Sequence, residues 1–259
     1  MSEPAPPADG RVPYGDSASQ FVDFRFPAAP GVGPLAVMIH GGFWRVKYDL
    51  LPAGHLCAAL AGAGFATANV EYRRVGEPGG GWPGTVEDVK QAVQFARLHA
   101  ARFRGDPHRT IVMGHSAGGH LALWLAGEIA DLAGVVALAP VASLRLAWEL
   151  RLGNGAVAEF LQGSPTEVPG RYQAADPAQR PSAVPRVLIH GTADEIVPIE
   201  LSREYVRLRR CDPVPVRLVE LPACDHFDVA DPQSPFHETV IRETRSLCEP
   251  PALESRTTM

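Results

Sequence analysis

The sequence carries no surplus of positive charge. Its 24 Lys and Arg against 29 Asp and Glu leave a net charge of −5. With neither a basic nor an acidic run, it offers no electrostatic footprint for nucleic acid or anionic lipid. No apolar stretch approaches the roughly 20 residues that a membrane span needs. The N-terminus, MSEPAPPADG, is acidic and Pro-rich and lacks the basic start and apolar run of a secretory signal. Cysteine is sparse. Cys57, Cys211, Cys224 and Cys248 match no zinc spacing and include no C-x-x-C pair. Free thiols in a reducing cytosol are the plain expectation. Internal repeats and low-complexity linkers are missing too. These absences point to a cytoplasmic protein with no metal, no cofactor, and no nucleic-acid or membrane partner. They leave the oligomeric state open.

What is present is material for one large core. A chain of 259 residues, 46% hydrophobic and 20% charged, has the composition of a single soluble globular domain. Residues 1–19 read as a loose Pro/Ala/Gly/Ser leader and residues 250–259 as a frayed tail, leaving one domain over 20–249.

Apolar runs alternate with helical patterns along that domain. FVDFRF at 21–26 alternates with period two, as a half-exposed edge strand does. LAVMIH (35–40), FATANVEY (65–72), TIVMGH (110–115), VVALAP (135–140) and RVLIHG (186–191) read as buried strands, and a further strand is expected near 214–221. Helices are expected from Leu56, over about 85–103, after Ser116, over about 200–210 and from His237. Alternation of this kind predicts an α/β fold, a mostly parallel sheet covered by helices on both faces. Ligands bind at the carboxyl ends of the strands in such sheets, and each motif below follows a strand.

Gly114-His115-Ser116-Ala117-Gly118 is a G-x-S-x-G pattern where a strand meets a helix. A nucleophilic serine needs a sharp turn that projects its hydroxyl above the sheet, and glycines two positions either side keep neighbouring chains from colliding with it. The helix start favours the negative charge that develops there. His40-Gly41-Gly42-Phe43-Trp44 follows the second strand. Its glycines let backbone amides approach an oxyanion, so donors are expected from Gly42, Phe43 and Ala117. His40 reads as a structural histidine that pins this loop.

An acid is expected after a later strand. RVLIHG leads to Asp194 in a G-x-x-D turn, with Glu195 the competing carboxylate. The base is expected after the last strand, where VELPACDHFDV offers His226; His237 falls in a charged helical pattern instead. Asp225 and Asp228 read as loop and capping carboxylates. His120, one helical turn after Ser116, reads as a packed helix residue. The order Ser116, Asp194, His226 is that of the α/β-hydrolase fold.

HGGFW, GHSAGGHLAL, HGTADEIVP and DHFDV together resemble the kynurenine formamidase (arylformamidase) and small carboxylesterase branch of the α/β-hydrolases, over about 35–245. EYRR at 71–74 resembles the D-Y-R segment of hormone-sensitive-lipase-like esterases, but Phe43 stands where those usually carry a third glycine, and their long N-terminal cap is lacking. The resemblance implies catalysis by Ser116, Asp194 and His226, an oxyanion hole on Gly42, Phe43 and Ala117, and a small ester or aryl formamide as substrate.

A short lid is expected over about 142–184. Leu144, Leu146, Trp148, Leu150 and Phe160 would either roof the nucleophile or pack on the core as a small helix. Trp44 and Trp148 are the candidate pocket aromatics, and a short lid implies a small acyl group. A peptidase or amidase is the alternative enzyme. A non-catalytic binding module on the same fold is the alternative from another class.

Overall fold

The structure, a computed structural model, describes residues 4–249. The tail expected at 250–259 lies outside the described residues. Strands β1 (Gly10–Pro13), β2 (Phe21–Arg25), β3 (Gly33–Ile39), β4 (Ala66–Val70), β5 (Gly105–His115), β6 (Gly134–Leu138), β7 (Arg186–Gly191) and β8 (Val216–Leu221) form one sheet. Their spatial order is β1-β2-β4-β3-β5-β6-β7-β8. The six strands from β4 to β8 in that order are parallel, and β1 and β2 are added antiparallel at one edge.

The continuous apolar runs follow from burial on both faces. Along β3, Leu35, Val37 and Ile39 enter one core layer while Ala36 and Met38 enter the other, the period-two alternation of a strand. The first layer lies under helices α2 (Gly84–His99), α3 (Ala117–Leu125) and α7 (Glu200–Leu208); the second lies under α1 (Ala53–Gly62) and α8 (His237–Ser246). Helix α3 is buried along its whole length, which is why it is written in Ala, Gly and Leu with a single Trp and His. The edge strand β8 is exposed or half-buried up to Leu221 instead.

The leader expected over 1–19 is not loose throughout. Residues 10–13 pair with β2, and Arg11 reaches across to hold both carboxylate oxygens of Asp23, its directly opposite partner, at 2.7 and 2.8 Å. The strand is four residues long and ends in proline, which a sheet accepts only at an edge. Too short to show a period, it escapes a reading by pattern. Because β1 takes the edge, β2 becomes an interior strand with Val22–Arg25 buried, rather than the half-exposed edge expected from its alternation.

The segment between β6 and β7 folds as α4 (Leu144–Glu149), α5 (Leu152–Leu161) and α6 (Pro169–Ala175). Leu144, Ala147, Phe160 and Leu161 are buried in the first core layer, and Leu146 and Trp148 pack against it from a half-buried position. The segment is therefore a small helical layer on the core, one of the two arrangements expected for it.

Candidate active site

Register brings four strand ends into line: Ile39 lies beside Gly114, His115 beside Leu138, Leu138 beside Ile189, and Gly191 beside Leu221. The loops that leave these ends carry residues 40–44, Ser116, Asp194 and His226.

Ser116 sits between β5 and α3 at φ 57°, ψ −118°, a conformation costly for a residue with a Cβ. Close packing enforces the turn. A Cβ on Gly114 would lie 2.1 Å from the carbonyl oxygen of Gly118, and one on Gly118 would lie 2.1 Å from that of Ile39. The amide of Ser116 donates to Leu138 O at 2.8 Å, tying the turn to β6. Gly41 brings the loop after β3 against the serine, since a Cβ there would meet Ser116 Cβ at 3.1 Å.

That loop then coils through three consecutive positive φ angles, 107° at Gly42, 52° at Phe43 and 58° at Trp44. Among the described residues, the amides of Gly42 and Phe43 donate no hydrogen bond. Ala117 opens α3, so its amide has no partner within the helix either. His40 anchors the loop: its ring nitrogens lie 2.8 Å from Gly41 O and 3.0 Å from Glu71 Oε1, and it stacks on Tyr72. Glu71 also accepts from the amides of Leu50 and Tyr72 and pairs with Arg74 at 3.3 Å. The EYRR segment thus fastens the HGG loop from beneath.

Asp194 and His226 meet, with His226 Nδ1 donating to Asp194 Oδ2 at 2.7 Å. The other oxygen, Oδ1, accepts from the amides of Ile196 and Val197 at 2.9 and 2.8 Å. Burial on its own pushes the Asp194 carboxyl up. Hydrogen bonds from His190 and His226, with the amide of Val197, outweigh it and hold the group below the usual carboxylate range. Glu195 is exposed. Asp225 accepts from the amides of Phe227 and Asp228, and Asp228 from that of Asp225, so both serve the loop as expected.

Two histidines outside the sequence-derived set complete the surroundings. His190, wholly buried at the end of β7, places Nε2 3.2 Å from Asp194 Oδ2 and 2.8 Å from Val197 O, while its Nδ1 meets Ser202 Oγ at 2.7 Å. His115 donates Nε2–H to the carbonyl of His226 at 2.8 Å, and the two rings lie 4.6 Å apart. Loss of solvent, then the neighbouring His226, pushes His115 down to about 3, which keeps it the neutral donor this contact needs. The signal for both was in the motifs, as the His of GHSAG and the His of HGTAD. Only their partners, 111 and 12 residues away in sequence, reveal what they hold.

Ser116 and His226 line one cavity of about 580 Å³. Ser116 Oγ makes no hydrogen bond among the described residues, as is common before a substrate draws such groups together. Phe43 is in the cavity wall, but the two candidate pocket tryptophans are not. The positive φ at position 44 turns Trp44 inward, where it is fully buried, stacked on Phe160 at 4.7 Å and edge-on to His120 at 5.1 Å. Trp148 belongs to the helical layer over the core, and nothing from residues 142–184 lines the cavity. The outer walls come instead from residues 48–56 and 227–231, with Ile196 and residues 4–5. No lysine or arginine is among them. His120 is packed as expected, its Nε2 donating to Ala175 O at 3.0 Å.

The BD-FAE family model matches residues 23–133, which include the HGG loop and Ser116. Esterase LipC of Mycobacterium tuberculosis is 32% identical over 85% of this chain and 60% of its own length. The probable carboxylic ester hydrolase LipM of the same organism is 28% identical over 91% of this chain and 60% of its own. The chain thus spans about 60% of the length of these curated relatives. Among solved structures, a truncated carbohydrate esterase from gut microbiota superposes with a TM-score of 0.80 at 20% identity, covering 93% of this chain and 99% of that one. Esterase B from Lactobacillus rhamnosis gives 0.78 at 20% identity, covering 94% and 88%. At such identities the likeness speaks to the fold.

Proposed function

We propose, from the α/β-hydrolase fold, that the chain is a serine hydrolase of small carboxylic esters, with aryl formamides as a second substrate class. The observation that carries this reading is one cavity holding both a serine on a strained strand-to-helix turn and a histidine paired to a buried carboxylate. The relatives named as esterases support the ester part. The formamide part rests on the resemblance of the four motifs. Four free thiols fit a reducing, cytoplasmic setting.

In this reading Ser116 Oγ attacks the acyl carbon as its proton passes to His226 Nε2, the nitrogen left available by the bond from Nδ1 to Asp194. The carbonyl oxygen becomes an oxyanion held by the amides of Gly42, Phe43 and Ala117. His226 returns the proton to the departing alcohol or amine, leaving an acyl-enzyme. Water, deprotonated by the same histidine, then releases the acid and frees Ser116. Asp194 fixes the tautomer and stabilises the imidazolium. Asp194 is itself fixed by two amides and by His190.

A fluorophosphonate probe on intact protein, read by mass spectrometry, tests the reading. It labels Ser116, and Ser116→Ala loses both the label and p-nitrophenyl acetate turnover, by on the order of 10⁴- to 10⁶-fold in kcat, with an unchanged melting temperature. An unlabelled wild-type protein would make it a binding module. Rates on N-formylkynurenine beside the ester divide a formamidase from a plain carboxylesterase.

A further inference from the structure

One wall of the cavity comes from an unexpected place. Pro4 and Ala5 line it together with Pro52, Ala53 and Leu56 at the start of α1. The strap formed by residues 4–9 is pinned in three places. Arg25 Nη2 donates to Pro6 O at 2.6 Å, the Asp9 amide donates to Phe24 O at 2.9 Å, and the Phe26 amide donates to Asp9 Oδ2 at 2.8 Å. Arg25 is buried, and its Nε and Nη1 find no partner among the described residues. Its bond to the strap is thus among the few that meet the demand of a buried guanidinium. Helix α1 leaves room for the strap at Gly54, where a Cβ would lie only 2.9 Å from Ala5 Cβ.

Chemistry divides the cavity lining around Ser116 into two sides. The leaving group must lie beside His226, which protonates it, and therefore on the side of Ile196 and Phe227. The carbonyl oxygen faces residues 42–43. What remains for the acyl chain, here called the acyl arm, is the apolar stretch of Met38, Ala53, Leu56 and the strap, with Tyr48, Asp49 and His55 also in the cavity lining. We propose that the strap is the end wall of the acyl arm and that Ala5 sets the longest acyl chain the protein accepts. This rests on the serine-hydrolase reading above. It also shifts the expected limit on substrate size from the segment at 142–184, which does not reach the cavity, to the N-terminal strap.

The test uses the full chain and two substitutions of opposite sense. Ala5→Trp fills the end of the arm: kcat/KM for p-nitrophenyl octanoate falls by about tenfold or more, while p-nitrophenyl acetate stays within about twofold. Gly54→Val pushes the strap away, and the ratio of octanoate to acetate rises several-fold. Acetate esters of longer alcohols, which probe the other side, respond to neither. An octanoate-to-acetate ratio that Ala5→Trp leaves unchanged overturns the proposal, as does a response confined to the alcohol series. Displacement of the neutral dye N-phenyl-1-naphthylamine by octanoic acid, the acyl product, reads the same arm without turnover and weakens in Ala5→Trp. A wild-type protein that turns over no ester but shows this weakening would count against the hydrolase and for the strap.

Discussion

Asp194 is held on both carboxylate oxygens. Each carboxylate oxygen has two donors or near-donors, and of the two histidines that meet Asp194, His226 is the one that lines the cavity. One residue further along, Glu195 is exposed. Asp194→Asn is therefore expected to cut kcat on p-nitrophenyl acetate by on the order of 10⁴, while Glu195→Gln stays within a few-fold of wild type. Steady-state rates of the two variants decide the matter, and a larger loss in Glu195→Gln would move the acid by one position. The residue types and their order along the chain were legible from the motifs. The donors that hold Asp194 were not, because His190 and the amides of Ile196 and Val197 become relevant only through the turn that curls around the carboxylate.

Among the elements, the junction of α4 and α5 bears on the HGG loop. Arg151, Gly153, Asn154 and Gly155 take positive φ, and this left-handed stretch lays Gly153 against the ring of Phe43. A Cβ at Gly153 would come within 2.7 to 2.9 Å of that ring. Gly153→Ala must displace Phe43 and, with it, one of the three amides assigned to the oxyanion. The expected result is a fall in kcat of roughly ten- to a hundredfold, less than the loss of an entire oxyanion donor, with KM for p-nitrophenyl acetate nearly constant. An unchanged kcat would remove Phe43 from the donor set. Sequence placed an apolar segment here and left open whether it roofs the nucleophile or packs on the core. Its alternation of apolar and charged residues is the same in either case, so only the position of Phe160 against Trp44 separates the two.

The whole molecule encloses His120 between α3, Trp44 and Phe160, where burial pushes its imidazole down to about 4. An unfolded chain takes up that proton near pH 6.5. Stability linked to His120 is thus complete above pH 6.5 and drains as the pH falls from there toward 4. The slope is about 1.4 kcal/mol per pH unit where the unfolded chain alone is protonated. Urea denaturation between pH 7.5 and 4.5 should show this decline in the wild type. His120→Gln, which keeps a donor for Ala175 O, should lose about one proton's worth of the slope. Equal slopes in both would assign the acid sensitivity to another group.

Composition and periodicity by themselves determined the α/β class, the buried parallel strands, the helices between them and the loops that carry Ser116, Asp194 and His226. A strand buried on both faces must be a continuous apolar run, and a tight strand-to-helix turn must be glycine, so both leave a mark on the chain. The antiparallel edge at residues 10–13, the inward turn of Trp44 and the cavity wall made by residues 4–5 were decided by the tertiary structure alone. A four-residue strand is too short to show a period. The direction of a tryptophan after two glycines depends on the sign of φ, and a Pro/Ala segment becomes a wall only when Arg25 and Gly54, distant in sequence, give it a place to lie.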